Sequence, residues 1–238
     1  TKISEFKGIF DDKINQKIVN YLKKSKKLKE NKIESINLDF DQKLLIIFLV
    51  KKNGAQYSEK LGAKFYDYIK KNEIRNINII GSNFSSIKNE INLSEFLHGV
   101  ELKAYEFNLY KTKKNKEIIN INILKNKNQI NQKIKYKLDA VLKGVNFTKD
   151  LVSEPGNILH PDEYARRLLK LKKFGLKVTV YDEKKLKKLG CHALLGVGQG
   201  SIRGSYLVTM EWSGTKSKSK PLAFVGKGVC FDTGGISL

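Results

Sequence analysis

Cysteine is scarce in this sequence, and long apolar runs are missing. The 238 residues include two cysteines, Cys191 and Cys230, which form no Cys-x-x-Cys pair. This argues against a disulfide framework and favours the reducing cytoplasm as the location of the protein. No run of about 18 apolar residues occurs, so we expect no transmembrane helix. The sequence starts without a signal-peptide core and without methionine, so we expect further residues before Thr1.

Acidic residues are also few compared with basic ones. Lys and Arg number 46 against 24 Asp and Glu, which gives a formal net charge of +22. Such a charge would suit a nucleic acid or a membrane surface as partner. The lysines, however, are spread along the whole chain, and only residues 23–29 form a dense run, as is typical of a solvated helix face or tail. We therefore expect neither a nucleic acid nor a membrane to be the main partner.

Apolar residues in the first half of the chain alternate between strand-like and helix-like segments. The predicted helices are 12–28, 58–71 and 93–110, and the predicted strands are 33–40, 44–50, 76–80 and 117–124. Such alternation is typical of an α/β domain with a mostly parallel sheet. We therefore predict an amino-terminal α/β domain over residues 1–126, and it contains no evident catalytic constellation.

A polar, asparagine-rich stretch at residues 125–133 predicts a linker. Together with the start of a long helix it forms a connection over 127–138, and a second domain follows at 139–238. The patterns there predict helices at 161–174 and 182–189 and strands at 177–181, 205–212 and 221–225. Each domain is thus predicted to be α/β, with a mainly parallel or mixed sheet flanked by helices.

The three histidines and one glycine run are weak functional candidates. His98 lies within a predicted helix, where a single histidine is more often structural than a ligand. His160 precedes Pro161 at a helix start. It could ligate a metal, but no second histidine lies at ligand spacing, so we favour a structural role as a weak cap. Cys191 and His192 are adjacent, which by itself does not make a nucleophile–base pair. The run 196–201 lacks the Gly-Lys-Ser/Thr ending of a phosphate loop, so we predict a structural glycine turn.

The most informative stretch is the last one, which follows the predicted strand 221–225. It reads Gly226-Lys227-Gly228-Val229-Cys230-Phe231-Asp232-Thr233-Gly234-Gly235. Glycine lets the backbone turn sharply and approach a ligand, and ligands bind at the carboxyl ends of strands in α/β sheets. Asp232 offers carboxylate oxygens to a divalent cation. Lys227 offers an amine that ligates when neutral, a form favoured by burial beside a cation. The stretch thus presents two metal-capable side chains, Lys227 and Asp232, on a glycine-shaped turn.

This stretch resembles the signature of the leucyl aminopeptidases, a cytosolic family of peptidases with two metal ions. The family pattern is glycine-lysine-glycine, two residues, Phe-Asp-Ser-Gly-Gly, and a few residues later lysine-proline; Thr233 stands here at the serine position. Weaker resemblances cover residues 99–111, 150–161 and 191–201. The second lysine of the pattern would follow Leu238. We therefore expect the sequence to end inside the catalytic domain, with no catalytic residue within it and the family's catalytic lysine and arginine beyond it.

The resemblance implies a metalloexopeptidase that hydrolyses the amino-terminal peptide bond of peptides, with a leucine-type preference. It implies two divalent cations, Mn²⁺ or Zn²⁺, that activate a bridging water, with Lys227 ligating one cation and Asp232 bridging both. It also implies a homohexamer. Residues 139–238 would be the first part of the catalytic domain, and we expect these 238 residues alone to bind metal weakly and to lack peptidase activity.

Two alternatives remain open at this point. One is a basic, non-enzymatic remnant or nucleic-acid-binding module, for which a steep salt dependence of DNA binding would be the evidence. The other is a nucleotide-binding α/β protein, and this interpretation rests on the glycine runs alone.

Overall fold

The computed structural model describes residues 10–24, 33–39, 42–47, 55–80, 93–113, 118–124, 132–215 and 220–230. The described residues form helices and short two-stranded sheets, which confirms the α/β class. The chain divides into two compact units, unit 1 (Thr1–Phe147) and unit 2 (Thr148–Leu238). The domain bounds 1–126, 127–138 and 139–238 stay predictions. No helix among the described residues is long and apolar enough to span a membrane.

Unit 1 contains most of the strands that the sequence predicts. Its elements are α1 (Asp12–Lys24), β1 (Ile33–Asn37), β2 (Lys43–Ile47), α2 (Ala55–Lys71), β3 (Asn76–Ile80), α3 (Leu93–Lys103), β4 (Asn120–Leu124) and α4 (Gln132–Ser153), the last of which crosses the division between the units. β3 and β4 pair in parallel, as expected, but β1 and β2 pair antiparallel. Unit 1 therefore contains both parallel and antiparallel pairs, which the prediction of a mainly parallel or mixed sheet allows. Residues 38–42 are too short for the crossover of about a dozen residues that a parallel pair needs.

The β3–β4 pair alternates strictly between its two faces. On one face Ile77 and Ile79 are buried in the core of unit 1. On the exposed face two asparagine pairs are hydrogen-bonded across the strands, Asn120 Nδ2 to Asn76 Oδ1 at 3.0 Å and Asn122 Nδ2 to Asn78 Oδ1 at 3.3 Å. The period of two therefore fixes which residues of each strand enter the core.

Helices α2 and α3 cross so closely that their backbones are in contact. A Cβ atom added to Gly62 of α2 would lie 1.9 Å from the carbonyl oxygen of Phe96 in α3. A Cβ atom added to Gly99 of α3 would lie 2.0 Å from the carbonyl oxygen of Glu59 in α2. Around this crossing the Phe96 ring packs against the Phe65 ring with 5.4 Å between centroids. The crossing requires glycine at both positions because a side chain would occupy the space of the facing backbone.

The end of α3 differs from the prediction, which extended this helix to residue 110. The helix ends at Lys103, and residues 105–108 have no regular structure. Glu106 forms an ion pair with Lys70 of α2, and the Phe107 ring packs against the Tyr110 ring. These tertiary and local contacts replace the helical hydrogen bonds that the apolar spacing suggests.

Up to residue 211, unit 2 contains the predicted elements in the predicted order, with α7 in addition. Beyond the end of α4 it contains α5 (Pro161–Leu169), a 3₁₀ helix (Lys170–Phe174), β5 (Lys177–Tyr181), α6 (Glu183–Lys188), α7 (His192–Gly198) and β6 (Leu207–Glu211). β5 and β6 pair antiparallel, with Val178 opposite Met210. Two residues cap the helices of this unit: Gly175 ends the 3₁₀ helix with φ of 87°, and Asp182 Oδ1 accepts the Lys185 N–H at 2.9 Å at the start of α6.

For unit 2 one prediction holds only in part and another is wrong. The glycine run at 196–201 is not simply a turn, because Gly196 and Gly198 lie in α7. A Cβ atom on Gly198 would lie 2.1 Å from Ser205 Oγ, so this glycine allows close packing inside a helix. Residues 221–225 are not a strand. They are exposed and have no regular structure, and no strand in the described part of the chain pairs with them.

Candidate active site

The first turn of α5 is the scaffold next to the glycine-rich stretch, and His160 and Pro161 determine where it begins. Proline suits the first helical position, because its fixed φ is helical and its missing N–H would have no partner there. His160 Nδ1 lies 2.6 Å from Asp162 Oδ1 and 3.4 Å from the Glu163 backbone N. One nitrogen cannot donate to the first and accept from the second, so we assign the shorter contact as the hydrogen bond. This agrees with the structural role expected for His160.

Charged side chains hold this turn in place. Asp162 Oδ2 also accepts from Arg203 Nη1 at 3.2 Å. Burial acts to raise the pKa of the Asp162 carboxyl, but hydrogen bonds from its own backbone N–H and from His160, with the charges of His160 and Arg203, lower it overall. The Asp162 carboxylate is therefore ionised, and both of its oxygens already accept hydrogen bonds.

A second ionic group lies further along α5. Glu163 accepts from Arg166 and from Arg167, and these two hydrogen bonds lower the pKa of the Glu163 carboxyl to about 2. Arg167 Nη1 also donates to Glu154 Oε1 at 2.7 Å, and the Glu154 side chain is only 3% exposed. A carboxyl with so low a pKa is a poor general acid or base near neutral pH, so we assign this group to structure.

The described part of the glycine-rich stretch lies against the first turn of α5. A Cβ atom on Gly228 would lie 3.0 Å from Cε1 of the Tyr164 ring. Cys230 is half-buried, and burial, followed by the charge of Asp162, raises the pKa of its thiol. The Lys227 side chain is exposed, and it makes no hydrogen bond or ion pair with any residue that the structure describes.

The two predicted metal ligands differ in what the structure describes of them. Lys227 is placed on an exposed, glycine-flanked segment, whereas Asp232 lies outside the described residues. Within the described ranges, no group of three or more His, Cys, Asp or Glu side chains could hold a metal ion. The described residues thus offer one candidate metal ligand, the amine of Lys227, which no described residue engages. They do not complete a metal site. Whether Lys227 and Asp232 meet stays a prediction.

The buried His98 of α3 is the other histidine whose surroundings are informative. It is 3% exposed, and its Nδ1 has no hydrogen-bond partner among the described residues. It lines a cavity of about 40 Å³ with Glu101, Lys135 and Asp139, a volume that suits a few water molecules. Lys135 and Asp139, which also line this cavity, form an ion pair with each other at 2.9 Å. This environment agrees with the structural role expected for His98.

Sequence reasoning missed Tyr164 and Asp162 as neighbours of the glycine-rich stretch. Both lie in α5, and the amphipathic pattern of this helix accounts for their residue types without a functional role. Their contacts with the glycine-rich stretch join residues that are far apart in the chain. No local signal in the sequence could have identified them.

Comparison with known proteins finds a family whose model matches the second part of the chain, including the glycine-rich stretch. Residues 146–238 match the model of the cytosol aminopeptidase family, catalytic domain. Over these residues the chain is similar to the catalytic domain of the cytosol aminopeptidases. The match includes the Lys227 segment and the first turn of α5, so the geometry described above lies within the matched residues.

Individual proteins show the same similarity. A protein of Phytoplasma mali named "Probable cytosol aminopeptidase" is 46% identical over 153 residues, which cover 61% of this chain and 31% of the relative. A protein of the same name from Brucella ovis is 50% identical over 146 residues, which cover 59% of this chain and 29% of the relative. The matched part of the chain thus spans about 30% of the length of these relatives.

Solved structures show the same fold. A mutant of tomato leucine aminopeptidase superposes with a TM-score of 0.71 at 21% identity, covering 94% of this chain and 48% of the tomato chain. The bottromycin maturation enzyme BotP in complex with Mn superposes with a TM-score of 0.62 at 16% identity, covering 81% of this chain and 42% of BotP. At these identities the likeness concerns the fold alone.

Proposed function

We propose that the protein is a metal-dependent aminopeptidase that removes amino-terminal residues, with a leucine-type preference, from peptides in the cytosol. The observation that carries this proposal is the match of residues 146–238 to the catalytic domain of the cytosol aminopeptidases, which includes Lys227 and Asp232. The names of the relatives support the peptidase activity, and the complex of BotP with Mn supports the metal dependence.

Lys227 and Asp232 are the proposed metal ligands. Two divalent cations, Mn²⁺ or Zn²⁺, would when bound hold the substrate's α-amine and carbonyl and lower the pKa of a bridging water. Lys227 is available for this role in the structure because no described residue engages its amine. Asp162 does not suit it, because His160 and Arg203 occupy its oxygens.

The test uses the full gene product that carries this sequence. The purified protein is stripped with a chelator, and hydrolysis of leucyl-p-nitroanilide is measured before and after Mn²⁺ or Zn²⁺ is added. We expect metal to restore activity, and we expect Lys227→Ala and Asp232→Ala each to lower kcat/KM by more than about 100-fold, since even residues behind metal ligands contribute about 10–100-fold.

Lys220→Ala is the matched control, because Lys220 is an exposed lysine in the same described segment, 220–230. It should leave kcat/KM unchanged. Full activity of the stripped protein without added metal, or full activity of both the Lys227 and the Asp232 variant, would overturn the proposal. Light scattering on the same preparation tests the proposed homohexamer.

A further inference from the structure

The Tyr164 ring lies directly against the backbone that carries Lys227. From the Cβ position that Gly228 would have as alanine, ring atom Cε1 is 3.0 Å away, Cδ1 is 3.8 Å away and Cζ is 3.9 Å away. The contact therefore involves the carbon atoms of the ring. A Cβ at 3.0 Å is closer than ordinary van der Waals contact, so either the ring or the backbone would have to move to admit a methyl group.

The ring is held on a well-anchored helix. The Tyr164 backbone N–H donates to the His160 carbonyl oxygen at 2.9 Å in the first turn of α5. The neighbouring Ala165 is buried, and the Arg167–Glu154 ion pair ties the helix to the residue that follows α4. The backbone that carries the Tyr164 ring is therefore anchored, whereas the glycine-rich segment has no regular structure to hold it.

Lys227 immediately precedes Gly228, the glycine that lies against the Tyr164 ring. A long lysine side chain has many rotamers, so the position of its amine depends on how firmly its backbone is held. The segment 220–230 is irregular and has no strand partner among the described residues, so side-chain contacts such as this one must hold it.

We propose that Tyr164 is a positioning residue, whose ring packs against Gly228 and so fixes the backbone from which the Lys227 amine reaches a divalent cation. This inference rests on the proposed function, in which Lys227 is a metal ligand. It assigns Tyr164 no chemical step: the ring carbons contact the backbone, and the phenol hydroxyl is not needed. It also explains why position 228 is glycine, since a side chain there would displace the segment.

The test measures Mn²⁺ binding to the full gene product by the electron paramagnetic resonance of free Mn²⁺, with kcat and KM for leucyl-p-nitroanilide measured alongside. Residues that hold metal ligands in place typically contribute about 10–100-fold in metal affinity. We expect Tyr164→Ala to weaken Mn²⁺ binding by about this factor, and Tyr164→Phe to bind as wild type because it keeps the ring.

A double variant separates positioning from simple loss of stability. Gly228→Ala alone should also weaken Mn²⁺ binding by about 10–100-fold. In the Tyr164→Ala/Gly228→Ala protein the added methyl group enters space that the ring has left, so the combined loss should be clearly smaller than the product of the two single losses. A purely structural role for Tyr164 would instead make the losses multiply.

Phe174→Ala is the control, because Phe174 is a 64% exposed aromatic side chain in the same unit that lies away from the segment in sequence. It should bind Mn²⁺ as wild type. If Tyr164→Ala does not fold by circular dichroism, Tyr164→Leu replaces it, since leucine keeps apolar volume without a planar ring.

The outcomes distinguish this inference from the proposed function. If Lys227→Ala binds Mn²⁺ as wild type, the metal-ligand role of Lys227 fails and the positioning role fails with it. If Lys227→Ala loses binding while Tyr164→Ala and Gly228→Ala keep it, or while the losses multiply, the positioning role alone is overturned.

Discussion

The glycine crossing of α2 and α3 makes a quantitative prediction about stability. Gly62→Ala adds one methyl group in the middle of α2, where the new Cβ atom would lie 1.9 Å from the Phe96 carbonyl oxygen and 3.0 Å from the Val100 nitrogen. Both of these are backbone atoms of α3. No rotamer change can therefore relieve the clash, and the two helices must move apart.

The expected magnitude is the sum of two opposing effects. Alanine is favoured over glycine inside a helix by about 0.5–1 kcal/mol. Overpacking a well-filled core costs about 1–3 kcal/mol, and a contact with rigid backbone lies at the upper end. We therefore expect Gly62→Ala to lower the free energy of unfolding by about 2 kcal/mol, with Phe65 and Phe96 losing part of their packing as the helices separate.

Urea unfolding followed by circular dichroism is the assay, because it tracks the helices directly. With a slope of about 2 kcal/mol per molar urea, a loss of about 2 kcal/mol lowers the midpoint by about 1 M. Gly144→Ala is the matched control: Gly144 also lies inside a helix, α4, and a Cβ atom there would meet nothing within 4 Å. It should raise stability by about 0.5–1 kcal/mol.

The contrast between the two alanine variants is the decisive result. If Gly62→Ala unfolds at the same urea concentration as Gly144→Ala, the two helix backbones are not in contact and the reasoning is wrong. Gly99→Ala, whose Cβ atom would lie 2.0 Å from the Glu59 carbonyl oxygen, should behave like Gly62→Ala.

Three further predictions concern other parts of the chain. Phe96→Ala removes a ring that is 1% exposed and should cost about 3–5 kcal/mol in urea unfolding. Gly175→Ala places a side chain at φ of 87° and should lower the melting temperature, by an amount equivalent to about 1 kcal/mol. The pKa of Glu163 is lowered to about 2 from 4.5, so its stabilising effect should be complete above pH 4.5 and disappear as the pH falls through about 2. Acid titration of the melting temperature should show this loss in the wild type, whereas Glu163→Gln should lack it.

Much of the fold follows from signals within single segments. Strands β3 and β5 lie at the residues predicted from their alternating apolar positions, and Gly175 and Asp182 cap their helices as their types suggest. These features depend on backbone conformation and on period, which neighbouring residues in the sequence determine. Such strand positions and helix caps can therefore be predicted without knowledge of the tertiary structure.

The errors occur where tertiary contacts decide the local structure. The apolar spacing that predicts a helix as far as residue 110 cannot anticipate the ion pair of Glu106 with Lys70 of α2. A glycine run predicts a turn unless close packing is known, and Gly198 faces Ser205 across just such a contact. Likewise, the buried face of α3 includes Phe96 because α2 crosses there, which the spacing alone does not show.

The candidate site divides in the same way. Lys227 and Asp232 are recognisable from their spacing within a glycine-rich stretch, since both lie in one short segment. Tyr164 lies in a different element, and only the folded chain brings its ring to Gly228. Candidate ligands within one segment can thus be predicted from a local pattern, whereas contacts between distant segments cannot.

The parallel pairing of β3 with β4 has a consequence for the protein as it is synthesised. The two strands pair at a separation of 44 residues, so β3 emerges from the ribosome well before its partner exists. At a synthesis rate of about 5–20 residues per second, β4 follows β3 after about 2–9 s, and Ile77 and Ile79 lack their strand partner until then. During this interval Ile77 and Ile79 can be buried against α2 and the growing α3. Early docking of these two helices would protect the nascent chain from aggregation.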